Sequence, residues 1–422
     1  MIKGKLTSNG SVTLIHSPLY YCQYLTLEVL IITLRRKVGL VISLVVYAIS
    51  VHTLPPLVTW FSTQFSLAPQ LFGIVFLLQS GIFTLFAMGI GNLHKRRSLP
   101  LIRIALIALF LASTTLFFVG FTPSFSLLIV MMMVIGGCGG LVESVGTTLL
   151  SEGSNSQKLL HLSQTFFAIG AFSAPLIVGL FMKAGLGVPQ IGMAVGGFAL
   201  AIAIMVLILV TDRSKTKAVV TEEPIVNSKT GNNRGFFWFF LTMVTYVLME
   251  NSLANWLPVF LEKSFNFEAA NASLTLTCFW AGLAVTRLFF VLMKSYSTKK
   301  SILGYTFFIL VATILFVFLR PTSPTWLVMG VVTLIGLGCG PVWVLIIENC
   351  REVFSDSHLV MYLVGGGALG GLIGPILTSS IFTIVSINVL GYIQIVYVVI
   401  LTLLTIVALS ATKRSTPHLQ RG

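Results

Sequence analysis

A chain of 422 residues that is 56% hydrophobic and only 9% charged cannot fold as a water-soluble globule, which carries roughly 25% charged residues. The formal net charge of +14 suggests a nucleic-acid binder, but the basic residues fall mainly in alternate loops, so no nucleic-acid surface is expected. The five cysteines, odd in number and without a CxxC pair, point to neither a disulfide framework nor a metal site.

A backbone solvated by lipid must satisfy its own hydrogen bonds, as helices or as a closed barrel. Barrel strands would alternate apolar and polar over about ten residues. Here the apolar runs last about twenty, the length of a membrane helix. The expected fold is therefore an all-α membrane protein of 12 transmembrane helices.

Residues 1–37 read as an N-terminal cytoplasmic extension. Its apolar stretch, Leu25 to Leu34, contains Glu28 and is followed by Arg35-Arg36-Lys37. A crossing there would give thirteen spans and break the charge parity, so a surface-lying or disordered segment is expected. The order of apolar and basic residues, without a small-residue cleavage site, argues against a signal peptide.

Six runs follow, near 38–62, 68–93, 101–121, 124–150, 159–184 and 188–211, and form an N-terminal bundle over 38–211. The first holds His52 near its middle and then Pro55-Pro56. The polar, mixed-charge stretch 212–234 reads as a flexible cytoplasmic linker. Six more runs lie near 235–262, 270–294, 300–319, 323–349, 358–384 and 388–411. They form a C-terminal bundle over 235–411, before a cytoplasmic tail at 412–422.

Twenty-two of the 26 Lys and Arg residues fall on the side that carries both termini and the linker. The other side has Lys183, Lys263 and Arg320, and Arg287 alone lies within a helix. This asymmetry places the N- and C-termini in the cytoplasm.

The two bundles are related. Ile135-Gly136…Gly140 reappears 200 residues on as Ile335-Gly336…Gly340, Glu152 as Glu352, and Gly170…Pro175 as Gly370…Pro375. A transporter built from two such repeats places its solute at the interface between them. The glycine runs serve close helix packing, a smooth face for gating, or both.

A charge at mid-bilayer costs about 2.5–3.5 kcal/mol on insertion scales, so intramembrane polar groups mark function. In chain order they are His52, Glu143, Glu250 and Arg287, none with a like-charged mate at the 200-residue offset. The two acids are candidates for solute binding or proton relay, or are structural acids satisfied by a neighbouring helix. Arg287 either serves the site or locks the bundle to an acid. His52 either takes a proton near neutral pH or is a satisfied core residue. Gln164, Asn255, Trp256, Trp280 and Trp343 share these segments and complete the candidate solute site: carboxylates and amides bind hydroxyls, and flat rings stack on the C–H face of a sugar. The tryptophans equally suit packing or an interfacial belt. Glu152 and Glu352, at cytoplasmic helix ends near Arg96, Arg97, Lys299 and Lys300, suit conformational salt bridges.

At these residues the chain resembles the major facilitator superfamily and, within it, the fucose permease group of sugar–proton symporters. Gly139-Gly140-Leu141-Val142-Glu143 is similar to the fourth-helix motif, Leu160 to Phe166 with Gly170-Ala171 to the fifth, and Cys278-Phe279-Trp280-Ala281-Gly282…Arg287 to the eighth. Gly365-Gly366-Gly367 is similar to the eleventh, and Tyr246…Glu250…Trp256 to the seventh helix of related sugar carriers. The chain departs from the group at His52, which stands where the first-helix acid is expected, and at Thr147, His161 and Thr286. The loop Gly91 to Arg97 lacks the superfamily's Asp.

The resemblance implies a secondary active transporter, not an enzyme, moving a sugar or sugar-like solute by alternating access in proton symport. Glu143, Glu250, His52 and Arg287 would serve coupling to protons or sodium. The expected partners are a small solute, the coupling ion and the lipid bilayer. The protein would be a monomer without cofactor, in the plasma membrane or bacterial inner membrane. Two alternatives are a drug or metabolite exporter on the same fold and a non-transporting receptor or scaffold.

Overall fold

The computed structural model describes residues 18–96, 99–150, 156–210, 233–293, 295–354 and 357–413, and among these the regular structure is entirely helical. In chain order the helices are α1 (Pro18–His52), α2 (Val58–Gln64), α3 (Phe72–Arg96), α4 (Leu101–Phe118), α5 (Phe125–Leu150), α6 (Ser156–Lys183) and α7 (Val188–Val210). The second half has α8 (Asn233–Ser264), α9 (Ala269–Leu292), α10 (Thr298–Phe318), α11 (Thr325–Cys339), α12 (Val342–Val353), α13 (Ser357–Ile384) and α14 (Leu390–Lys413).

Twelve spans in the described residues are long and apolar enough to cross a membrane, six before the linker and six after it. The chain is a multi-pass membrane protein. Two spans are broken helices: α1 with α2 makes the first, and α11 with α12 the tenth. Proline explains both breaks, because it lacks the N–H that would bond the carbonyl four residues back. After His52 the chain turns through a 3₁₀ turn at Pro55–Leu57 before α2 starts. After Cys339 it passes Gly340-Pro341 before α12 starts.

Residues 18–37 depart from the expectation of a surface-lying or disordered segment. They continue α1 without a break, ahead of the first membrane-length span at Leu34–Gln64. At about 1.5 Å per residue a helix of 35 residues exceeds the roughly 30 Å hydrocarbon core. It therefore projects beyond the bilayer at the linker end of the bundle.

The 200-residue repeat is a repeat of packing. A Cβ on Gly136 would lie 2.2 Å from the carbonyl oxygen of Gln79, and one on Gly336 would lie 2.0 Å from that of Phe279, the position 200 residues on. Gly140 meets Phe83 in the same way as Gly340 meets Leu283. Lipid supplies no hydrophobic drive to press helices together, so close backbone approach through small residues does it instead. The outward faces are apolar: Ile107, Phe307 and Trp326 are exposed to the lipid.

The halves meet chiefly through α6 against α9 and α3 against α13. The Ser273 hydroxyl donates to the Pro175 carbonyl at 2.7 Å, and a Cβ on Gly73 would run into Ser379. These contacts lie toward the end remote from the linker. Nearer the linker end, Arg287 donates across the halves to Gln164.

Candidate functional site

The break at Gly340-Pro341 builds one side of the site. Pro341 leaves the Leu337 carbonyl without its helical partner, and the Thr286 hydroxyl donates to it at 2.8 Å. The neighbouring carbonyls are also taken. The Tyr246 hydroxyl donates to Cys339 O at 2.9 Å and Arg287 Nε to Gly340 O at 3.0 Å. Three side chains from α8 and α9 thus replace the hydrogen bonds that a continuous helix would have supplied to a backbone in lipid.

Arg287 is 5% exposed. Its Nη1 reaches across to the other half, donating to Gln164 O at 3.0 Å and to Gln164 Oε1 at 3.4 Å. Its charge acts on two acids, Glu143 of α5 and Glu250 of α8. Glu250 is 7% exposed and takes a hydrogen bond from Tyr246, one helical turn earlier on the same helix. Glu143 is half-buried and lies beside the Tyr47 hydroxyl.

Tyr47 starts an aromatic wall. Its ring stacks on Phe83 with centroids 5.5 Å apart and lies 5.6 Å from Phe167. Phe167 is 5.7 Å from His52 and 6.4 Å from Trp280. His52 and Trp280, one from each half, lie 4.4 Å apart. The wall therefore runs from Glu143 to the mid-depth interface between α1 and α9.

Six residues expected from sequence are brought together around this interface: His52, Glu143, Gln164, Glu250, Trp280 and Arg287. Trp343 stands 200 residues after Glu143, half-buried, with its indole nitrogen 3.7 Å from where a Cβ on Gly367 would lie. Two others sit elsewhere. Trp256 is fully buried, gives its N–H to Pro375 O at 2.9 Å and packs against Phe76 and Phe382. It closes the end remote from the linker and offers no open ring face. The Asn255 amide N–H donates to Asn251 O at 2.9 Å, within its own helix.

The linker-end charges are placed in part. Lys299 and Lys300 are exposed at the start of α10, and the exposed Glu352 accepts a hydrogen bond from the Thr298 hydroxyl at 2.7 Å. Arg97 and Glu152, like the side chain of Arg96, lie outside the described residues. Beside Glu352, Tyr296 donates to both carboxyl oxygens of Glu348 at 2.8 Å. Burial, then the bond to Glu348 and its charge, push this phenol well above its ordinary range.

Sequence reasoning missed Tyr47, Phe167 and the carbonyls of Leu337, Cys339 and Gly340. For the carbonyls the available signal was Pro341. For Tyr47 it was a polar-tipped ring within an otherwise apolar run.

Comparison with known proteins places this architecture. The family model of the Major Facilitator Superfamily matches residues 40–363. Among curated proteins, the Protein TsgA homolog of Buchnera aphidicola is 21% identical over 256 residues, which cover 59% of this chain and 64% of that protein. That of Erwinia tasmaniensis is 22% identical over 267 residues, 61% of this chain and 66% of its own length. The match thus spans a little under two thirds of each of these relatives. Two solved structures share the fold. A bacterial homologue of the human lysosomal transporter Spinster, in an inward-facing and occupied conformation, aligns with a TM-score of 0.62 at 12% identity. That alignment covers 89% of this chain and 96% of that one. The human organic anion transporter MFSD10 (TETRAN) aligns with a TM-score of 0.63 at 13% identity, over 89% and 99%. The chain belongs to the Major Facilitator Superfamily.

Proposed function

Starting from membership of the Major Facilitator Superfamily, we propose that the protein is a secondary active transporter of a small polyhydroxylated solute, a sugar or close analogue, coupled to protons. The observation that carries this reading is the shared charge cluster. One buried guanidinium, Arg287, is held by backbone of both halves, and its charge acts on a carboxyl in each of them. Rocking the halves must break or exchange those bonds, so the protonation of the acids is tied to the conformation.

The two acids divide the work. The Tyr246 hydroxyl has one proton and two acceptors within reach, Glu250 and Cys339 O. Glu250, the more deeply buried of the two acids, is the proton carrier. Glu143 then remains as the one carboxylate facing one guanidinium, which keeps the buried cluster near neutrality. Being half-buried and beside Tyr47, it is the acid that meets solute hydroxyls, with Gln164 beside it and the half-buried Trp343 as a stacking face.

The basic residues of the linker end set the termini in the cytoplasm, and a bacterial inner membrane suits the bacterial relatives. The resemblance of the fourth, fifth and eighth helices to the fucose permease group supports the sugar class. The test is uptake of labelled fucose, galactose, glucose and mannose into proteoliposomes under an imposed acid-outside gradient. Gradient-dependent accumulation of a hexose supports the reading. Export of ethidium without hexose uptake supports an exporter instead, and absence of any flux supports a receptor.

A further inference from the structure

His52 and Trp280 present polar atoms at the interface between halves that nothing in the described protein satisfies. His52 is 6% exposed and Trp280 1%. Both imidazole nitrogens of His52 and the indole Nε1 of Trp280 are buried without a hydrogen-bond partner. The neighbouring polar residues of the first span have closed their own bonds: the Ser50 hydroxyl donates to Val46 O at 2.8 Å and the Thr53 hydroxyl to Ile49 O at 2.7 Å. Buried polar atoms are nearly always paired, and exceptions call for an explanation.

Their location supplies one. The two rings touch across the halves at mid-depth, on the aromatic wall that leads from Glu143 through Tyr47 and Phe167. When the halves rock apart, these rings separate and their nitrogens face the opening gap.

The kinds of atom then define what fits. Indole offers a donor only. The imidazole sits between aromatic rings, with no carboxylate described against it, and enters as the neutral ring, one N–H donor and one bare acceptor on separate edges. The set is two donors and one acceptor. A carboxylate supplies acceptors only and would leave the bare imidazole nitrogen unpaired. Neighbouring hydroxyls both accept and donate.

We infer that His52 and Trp280 form a hydroxyl-recognition subsite that selects a neutral polyol moiety over a carboxylate. This rests on the proposed solute-transport reading and deepens it. It assigns His52 to solute recognition, where the sequence had suggested proton coupling.

The test uses purified full-length protein and thermal-shift titration, in which a ligand of the native state raises the melting temperature. The probes are glucose, galactose, fucose and mannitol against glucuronate and galacturonate. The neutral probes are expected to raise the melting temperature of the wild type and the uronates not. His52→Phe and Trp280→Phe should each weaken the neutral probes at least tenfold. His52→Gln, which restores one donor and one acceptor, should stay within threefold of wild type and guards against a folding defect. Equal affinity of His52→Phe and wild type overturns the subsite, as does preference for the uronates. If Glu143→Gln abolishes binding in that case, the transport reading still stands. If no probe of either class binds, both fall.

Discussion

Arg287 of α9 donates to the backbone carbonyl of Gln164 in α6 at 3.0 Å, so a cation buried in one half is held by the other. The same guanidinium caps Gly340 O in its own half. A motion that parts the halves at this depth must break this bond.

Removing this guanidinium should be costly for stability as well as transport. Arg287→Met leaves two carbonyls without their donor and Glu143 without a counter-charge. Loss of one partner from a buried ionic cluster costs about 3–5 kcal/mol. Adding Glu143→Gln removes the stranded charge and should restore part of that loss. Melting of both variants in detergent checks this, and a double variant no more stable than the single one would contradict the pairing.

The repeated glycines predict a sharp contrast in alanine tolerance. Gly136→Ala and Gly336→Ala drive a methyl group into a facing backbone carbonyl. Overpacking of this kind costs about 1–3 kcal/mol or more. Gly197→Ala and Gly304→Ala meet nothing within 4 Å and should leave the melting temperature within about a degree or two, or raise it slightly through helix propensity. Equal effects in the two sets would refute the packing account of the repeat.

Cross-linking should separate the two ends of the bundle. A Cβ on Gly73 would lie 2.7 Å from the Cβ of Ser379, so a small outward shift reaches the roughly 3.5–4.5 Å of a disulfide. The pair Gly73→Cys with Ser379→Cys should form a bond on oxidation and reduce transport at least tenfold, reversibly with reductant. Full activity of the oxidised protein would show that the halves do not part there.

Tyr296 gives a pH-dependent prediction outside the spans. Its folded-state phenol is raised, so its contribution is fully present below the ordinary phenol pKa of about 10 and is lost as pH rises past it. Tyr296→Phe should cost about 1 kcal/mol at neutral pH, since the bond to Glu348 is only partly buried. The variant should also lose less stability than wild type on going to alkaline pH. Melting curves at pH 8 and pH 11 test both parts.

The twelve spans were legible because length and apolarity alone define a membrane helix. Charged and polar groups in such spans stand out, which is why Glu143, Glu250, Arg287, Gln164, His52 and Trp280 could be picked from sequence as candidates. Trp256 misled because it follows Glu250 so closely. Six helical residues carry it about 9 Å further along the axis and roughly 240° around it, into the closed end of the bundle. The carbonyls of Leu337, Cys339 and Gly340 were invisible because backbone acceptors have no letter of their own, and Pro341 showed only that a helix was broken. Tyr47 was hidden by its apolar neighbours, since a phenol in a hydrophobic run reads as packing until a carboxyl is found beside its hydroxyl. The segment at 18–37 was expected to lie on the surface or be disordered because a separate crossing there would break charge parity; an unbroken helix that begins ahead of the first span keeps parity as well.

The central claim is that Glu250 carries the coupling proton while the halves rock about the cluster at Arg287. The direct measurement compares Glu250→Gln with wild type in proteoliposomes, using the hexose that wild type takes up best. A permanently neutral side chain keeps the loaded form, so exchange of labelled for unlabelled hexose should run at near wild-type rate. Accumulation driven by the proton gradient should fall at least a hundredfold. Accumulation by Glu250→Gln at the wild-type level, with unchanged pH dependence, would contradict the account.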